Sequence, residues 1–397
     1  MKQAHLDPTL ITVFSIVVID LIGFGIIRPL LPIYAQSYGA SPFTIGLLAI
    51  SYSIAQLVFN PVWGGLSDKS GRRPILLLSL AGAAAFYVLF GAADSLLLLF
   101  VARIGAGIFA ANISTAMAVI ADVTTHENRT KGMGLIGMAF AIGFIIGPAL
   151  GGILSRYSYS AAGYGAAVLS AIALLLAIFK LPETKADRSE SIARRGFLRP
   201  IVDALRTPQL SIPLWVHFLS IMAFSSMQMT FPLFTMSAFG FDVKENGYVF
   251  AFVGVIAMVF QGGLIGRLAN KFGEGPIATV GIVIAMLGFF ILPLSENVTS
   301  LVLVMAVLGI GTGLNTPTLT SLISISASDE DQGKIIGASR SVATLARILG
   351  PLWGGWIYGF RGPLWTYWSA GMVMVAALAV CIRLWSIRPG KLVAEPG

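Results

Sequence analysis

A few charged residues stand inside long apolar stretches of this chain, where a charge is costly and is kept for its chemistry. Asp20 lies in Ile19-Asp20-Leu21-Ile22-Gly23-Phe24-Gly25-Ile26-Ile27-Arg28-Pro29-Leu30-Leu31-Pro32, well inside the first apolar run, about 9–35. An ionised carboxylate in a membrane helix costs roughly 2.5–3.5 kcal/mol even on insertion scales. A carboxyl group kept out of water can take up and release a proton near neutral pH, so Asp20 is a candidate for coupling to protons. The other reading is a fixed structural partner for an arginine. Arg103, in Ala102-Arg103-Ile104-Gly105-Ala106-Gly107, is about 12 Å deep if its helix starts near residue 95 and rises 1.5 Å per residue. It is expected to ion-pair with Asp20 and so couple protonation to geometry; a snorkelling side chain is the alternative.

Arg28, in the outward third of the same run as Asp20, would hold an acidic substrate head group or anchor to lipid phosphate, and Arg347 would do the same or snorkel. Polar side chains within membrane helices usually face the interior of the bundle. Gln56 and Asn60, Asn112, Gln228 and Asn315 are therefore candidates to line a substrate cavity. Met222, Phe224, Met227, Met229 and Phe231 would suit a broad apolar site, or would only meet lipid.

The elements that must position these residues are membrane helices. The chain has 397 residues, 56% hydrophobic and 11% charged, against about 25% charged in a soluble globular protein. Twelve apolar spans can be counted, near 9–35, 43–66, 74–92, 95–122, 130–155, 161–181, 209–237, 246–270, 275–294, 299–326, 333–358 and 363–387. Each is long enough, at roughly 20 residues, to cross a bilayer. The fold class expected is all-α and integral to the membrane, with twelve helices in two pseudo-symmetric six-helix bundles, 1–182 and 209–397, joined by a charged, polar cytoplasmic linker over 183–208.

An internal repeat supports two halves. Gly147-Pro148-Ala149-Leu150-Gly151-Gly152 recurs as Gly350-Pro351-Leu352-Trp353-Gly354-Gly355, 203 positions later. The same offset pairs Asn112 with Asn315, Glu127 with Glu330, Lys131 with Lys334 and Gly134 with Gly337. Glycines four apart, Gly143, Gly147 and Gly151, make a flat face for close helix packing, and Pro148 weakens one backbone hydrogen bond and permits a bend.

The net charge of +8 has an address rather than a partner: threading the spans puts 20 of the 26 Lys and Arg in cytoplasmic turns and tails, as the positive-inside rule requires. Both termini then lie in the cytoplasm, and no nucleic-acid partner is implied. The single cysteine, Cys381, excludes an intramolecular disulfide. The first apolar run is too long for a signal core and reads as an uncleaved helix. No nucleotide-binding loop, H-E-x-x-H or G-x-S-x-G is found, and His5, His126 and His217 are scattered, so neither an enzyme, nor ATP drive, nor a metal or other cofactor is expected.

The charged turn between the second and third spans, Gly64-Gly65-Leu66-Ser67-Asp68-Lys69-Ser70-Gly71-Arg72-Arg73-Pro74, identifies the class. It resembles the G-x-L-[SA]-D-[KR]-x-G-R-[KR] loop of the major facilitator superfamily over all ten positions. With Arg73-Pro74-Ile75-Leu76-Leu77-Leu78-Ser79-Leu80 it looks like the drug:proton antiporter branch and its tetracycline/proton antiporter subgroup. An eroded second copy runs from Gly263 to Gly273 without the aspartate. The resemblance implies that Asp68, Arg72 and Arg73, with Asp122 as partner, form a cytoplasmic gate; topology and turn geometry alone are the plainer role, and Asp68 could also cap the third helix. It further implies coupling roles for Asp20 and Arg103, and reads the Gly143–Gly151 segment as the mark of antiport.

The match breaks where the subgroup carries acids in helices 3 and 9, since the corresponding positions are Phe86 and Ala285. Asp20 is left as the one deep carboxylate, which points away from tetracycline–metal export. The expectation is a monomeric, multi-pass inner-membrane protein that exports hydrophobic or amphipathic small molecules in exchange for protons, in contact with membrane lipids, with antibiotic resistance as the consequence. The alternative is a lipid or anionic-metabolite translocator of the same fold.

Overall fold

A computed structural model describes residues 8–124, 126–184, 208–325 and 332–386. Most of the expected linker and all of Glu127 to Lys131's side-chain chemistry lie outside what is described. The described chain is helical: α1 (Pro8–Ser37), α2 (Pro42–Ser70), α3 (Arg72–Gly91), α4 (Leu96–Ile108), α5 (Asn112–Val123), α6 (His126–Ser155), α7 (Tyr159–Lys180), α8 (Pro208–Phe239), α9 (Val243–Val259), a π-turn (Phe260–Leu264), α10 (Ile265–Phe272), α11 (Glu274–Ile291), α12 (Val298–Ile325) and α13 (Gln332–Ser386). Among the described residues ten helical runs are long and apolar enough to cross a membrane. One of them, 46 residues long, is two helices meeting at Gly362, whose φ of 78° and ψ of −174° are not helical. The eighth apolar span is divided by the π-turn at Phe260–Leu264.

Helix boundaries follow from short polar signals. Ser41, Ser95 and Ser158 each accept a hydrogen bond from the backbone N–H three residues on, which satisfies a first-turn donor. The charged turn reverses at Gly71 (φ 100°), and its second copy reverses at Gly273 (φ 82°) in nearly the same conformation. A left-handed φ of this kind is accessible to glycine at no steric cost, so the internal repeat persists as backbone geometry even where the aspartate has been lost.

Two compact units are present, one holding residues 8–184 with Thr235–Ala251, the other holding 208–234 and 252–386. The core of the first gathers Val13, Ile16 and Val17 of α1 with Leu76 and Leu80 of α3, Val119 and Ile120 of α5, Ala139 of α6 and Ala173 and Ala177 of α7. Within it α1 packs on α6 and α7, α3 on α7, and α2 on α4. The start of α9 belongs here because its backbone is seated on α6: a Cβ built on Gly152 would lie 2.9 Å from the Lys244 Cα. In the second unit α11 packs on α12 and α13.

Close α1–α6 contact depends on glycine on both helices. A Cβ on Gly147 would meet Gly25 Cα at 2.6 Å, one on Gly143 would meet Leu21 Cβ at 2.7 Å, and one on Gly151 would meet Ile26 O at 2.7 Å. Pro148 lies in the same strip, 3.3 Å from where a Gly25 Cβ would be. The second copy packs in the same way, Gly350 against Met222 and Ser225 of α8.

Candidate functional site

The span expected as one helix over 95–122 is interrupted. Its first part, α4, ends at Ile108 and α5 starts at Asn112, so Phe109, Ala110 and Ala111 form a non-helical link inside the first unit. Backbone groups at membrane depth have no water to bond and must find partners in the protein. Three side chains supply them here. Trp63 Nε1 donates to the Ile108 carbonyl at 2.5 Å and Gln56 Nε2 to the Ala110 carbonyl at 3.3 Å. The Ser79 hydroxyl donates to the Phe109 carbonyl and accepts from the Ala111 N–H. Gln56, expected in a substrate cavity, thus also braces the chain break.

Immediately after the break, Asn112 makes two bonds that fix its amide. Its Oδ1 accepts from the Ile113 N–H at 2.9 Å, and its Nδ2 donates to the Asp20 carboxylate. With the oxygen turned to a backbone donor, only the NH2 end can face Asp20. Asp20, Asn112 and Arg103 are 5%, 8% and 5% exposed, so the cluster is closed off by the protein itself.

The expected ion pair between Asp20 and Arg103 is not formed. Arg103 lies before the break, on α4, which packs on α2, and its guanidinium sits 4.6 Å from the Tyr52 ring centre. A cation over an aromatic face in dry surroundings gains about 2 kcal/mol, which offsets part of the cost of burying the charge; among the described residues the Arg103 Nε has no hydrogen-bond partner. The buried phenol of Tyr87, on α3, lies within electrostatic reach of Asp20, Arg103 and Tyr52.

Arg28 continues this arrangement. Its guanidinium is 5.5 Å from the Phe24 ring and 5.0 Å from the Phe144 ring, and Phe24 touches Tyr52 with centroids 5.4 Å apart. Phe144, Arg28, Phe24, Tyr52 and Arg103 therefore form one run of ring and cation contacts within the first unit. The two positions where acids are absent are filled by packing. Phe86 stacks on Phe109 and fills the space beside Gly105, and Ala285 fills the space beside Gly311.

In the second unit Asn315 is buried and its Nδ2 donates to Ser220 Oγ at 2.9 Å. This is the repeat's counterpart of the Asn112–Asp20 contact, with a hydroxyl where the first unit has a carboxylate. Gln228 is half-buried on α8, among neighbours that include the buried Met227, Met229 and Phe231.

At the charged turn, Arg72 bridges two acids, Asp68 at 2.5 Å and Asp122 at 3.1 Å, and donates to Ser67 Oγ at 3.2 Å. Asp68, Arg72 and Asp122 are therefore brought together, within the first unit. Arg73 is directed elsewhere, donating to the Ile178 carbonyl at 2.7 Å. Asp68 does not cap α3. Glu183 does, accepting from the Arg72 and Arg73 N–H groups at 2.8 and 3.3 Å, where a carboxylate meets the positive end of the helix. Sequence reasoning took Glu183 for the first linker residue; its partners are 110 positions or more away along the chain, beyond any local signal.

The model of the Major Facilitator Superfamily matches residues 13–351 and 262–396. The tetracycline resistance protein, class H, of Pasteurella multocida is 32% identical over 384 residues, 94% of this chain and 96% of that protein. Multidrug resistance protein 2 of Bacillus subtilis (strain 168) is 27% identical over 376 residues, 93% of each. Among solved structures, the human organic anion transporter MFSD10 (TETRAN) is similar at a TM-score of 0.72 and 24% identity, over 94% of this chain and 99% of that one. That likeness speaks for the fold.

Proposed function

This chain belongs to the major facilitator superfamily, and from that premise we propose that it exports hydrophobic or amphipathic small molecules in exchange for protons by alternating access. It is a multi-pass membrane protein and a transporter. Export and proton coupling are supported by the resemblance to tetracycline and multidrug resistance proteins. The observation that carries the coupling is the Asp20 carboxylate, buried in a membrane-spanning helix and held by one neutral amide rather than by an arginine. Among the described residues no cation pairs with this carboxylate, so the charge it loses on binding a proton is not offset locally, and in a low-dielectric interior that change acts on the groups nearby.

In this proposal Asp20 carries the proton, and Arg103, anchored on Tyr52, senses its charge through Tyr87. Asp68, Arg72 and Asp122, with Arg73, form the cytoplasmic gate. Twelve spans in two six-helix bundles, 1–182 and 209–397, with both termini cytoplasmic and the protein a monomer in the inner membrane, complete the proposal; the distribution of basic residues and the internal repeat support it. Arg28, Gln56 and Gln228 are the polar side chains offered to a substrate, while the buried Asn112 and Asn315 act through their bonds to Asp20 and Ser220.

A second reading, transport of an anionic amphiphile or lipid, is favoured by Arg28 between the Phe24 and Phe144 rings, which joins a positive head-group partner to an apolar wall. It accords with the described substrate class of the human organic anion transporter. The two are separated by pH-gradient-driven uptake into inside-out vesicles across cationic, neutral and anionic amphiphiles. Uptake that a protonophore abolishes supports antiport, and the charge of the accepted compounds chooses between the readings. Uptake indifferent to the gradient for every compound contradicts proton coupling.

A further inference from the structure

We propose that Asn112 is the positioning residue for proton transfer at Asp20, and that the break between α4 and α5, braced by Ser79, Gln56 and Trp63, exists to present it. The inference deepens the antiport reading and rests on it for its purpose, but its geometry is independent of any substrate.

Three observations carry it. First, the amide of Asn112 has one orientation. The Ile113 N–H occupies its oxygen, so Asn112 can only donate to Asp20, and a donor favours the charged carboxylate over the protonated acid. Second, the break puts Asn112 first in α5, where its side chain bonds the helix start and α1 together; a continuous helix would lack the free N–H at Ile113 that fixes the amide.

Third, the internal repeat supplies a control. In the second unit Asn315 bonds a neutral hydroxyl, and its helix runs unbroken from Val298 to Ile325. In the register that pairs Gly71 with Gly273, the counterparts of Gln56, Trp63 and Ser79 are Met258, Ile265 and Gly281, none with a side chain able to bond a free carbonyl. Gly281 packs directly against this helix, its absent Cβ 2.9 Å from the Asn315 N. Polar braces and a broken helix occur together where a carboxylate must be held, and both are missing where none exists.

Among the described residues, Asn112 of α5 bonds Asp20 directly, the Tyr87 phenol of α3 lies within its electrostatic reach, and Arg103 of α4 and Tyr52 of α2 lie within reach of that phenol. Removing Asn112 therefore removes the one direct hydrogen bond to the carboxylate among the described residues.

The test is an infrared difference titration of the full chain in lipid nanodiscs, following the protonated-carboxyl band that Asp20→Asn deletes. In Asn112→Ala the midpoint is expected to move to higher pH by about one unit, the scale of one lost charge-assisted hydrogen bond. Ser79→Ala, which leaves Asn112 in place but frees the backbone that aims it, moves the midpoint in the same direction by a smaller amount, and Asn112→Ser, which keeps a donor, recovers part of the shift. A midpoint unmoved in Asn112→Ala overturns the proposal. If that variant does not fold, an unmoved midpoint in Ser79→Ala does so. Proton flux measured separately in liposomes distinguishes the two levels: flux present with an immobile midpoint defeats only this inference, and flux absent with a mobile midpoint defeats only the antiport reading.

Discussion

Replacing Gly147 by alanine tests the packing that holds the coupling helix in place. The new Cβ would stand 2.6 Å from Gly25 Cα, 2.7 Å from Ile22 O and 2.8 Å from Gly25 C. All three are backbone atoms of α1, so no side chain can rotate out of the way. Restoring ordinary contact near 3.4 Å requires the two helices to part locally by about 0.6–0.8 Å, and inserting a methyl group into a packed interface costs typically 1–3 kcal/mol. At 1.4 kcal/mol per factor of ten, the folded fraction relative to the unfolded falls roughly five- to a hundredfold. Gly137→Ala, on the same helix, is the control, because nothing lies within 4 Å of its absent Cβ. There the gain in helix preference is worth about 0.5–1 kcal/mol. Thermal unfolding of both variants in nanodiscs reads the difference directly. A Gly147→Ala protein as stable as Gly137→Ala would refute the close-approach account of α1 and α6.

Arg72 makes two ion pairs of unequal worth. Asp122 is 13% exposed and Asp68 66% exposed at the side chain. Double-mutant cycles on unfolding are therefore expected to give a coupling of about 1.5–3 kcal/mol for Arg72–Asp122 and only about 0.2–1 kcal/mol for Arg72–Asp68, and the reverse order would contradict the geometry. Glu183→Ala removes the carboxylate at the start of α3 and should cost about 0.5–2 kcal/mol, seen as a lower unfolding temperature; Glu183→Gln, which keeps an acceptor, loses less. Arg28→Leu is expected to depress uptake of anionic compounds several-fold while sparing cationic ones in the vesicle assay, and equal losses for both would assign Arg28 to structure.

The fold class was legible because membrane helices are written in composition: long apolar runs, a basic charged turn and a proline–glycine segment repeated 203 positions apart each state one constraint plainly. Gly143, Gly147 and Gly151 were readable as a packing face because small residues four apart have that one strong use. The break at Phe109 to Ala111 was not readable, since nothing in Phe109-Ala110-Ala111 is a helix breaker; the link is stabilised by Gln56, Trp63 and Ser79 from other helices. For the same reason Asp20 and Arg103 were paired in expectation on charge alone. The position of the break, and the Tyr52 ring beside Arg103, decide otherwise, and neither is a local property of the sequence. Asn112 was recognised as interior but not as the partner of Asp20, and Glu183 was passed over because its role depends on the return of α7 to the start of α3.

The most direct test of the account is substrate-induced proton movement in proteoliposomes carrying an enclosed pH dye, comparing the native protein with Asp20→Asn. The account predicts that an accepted compound drives a pH change in the native protein and none in Asp20→Asn. An equal pH change in both proteins would show that the proton travels by another group and would contradict the role assigned to Asp20.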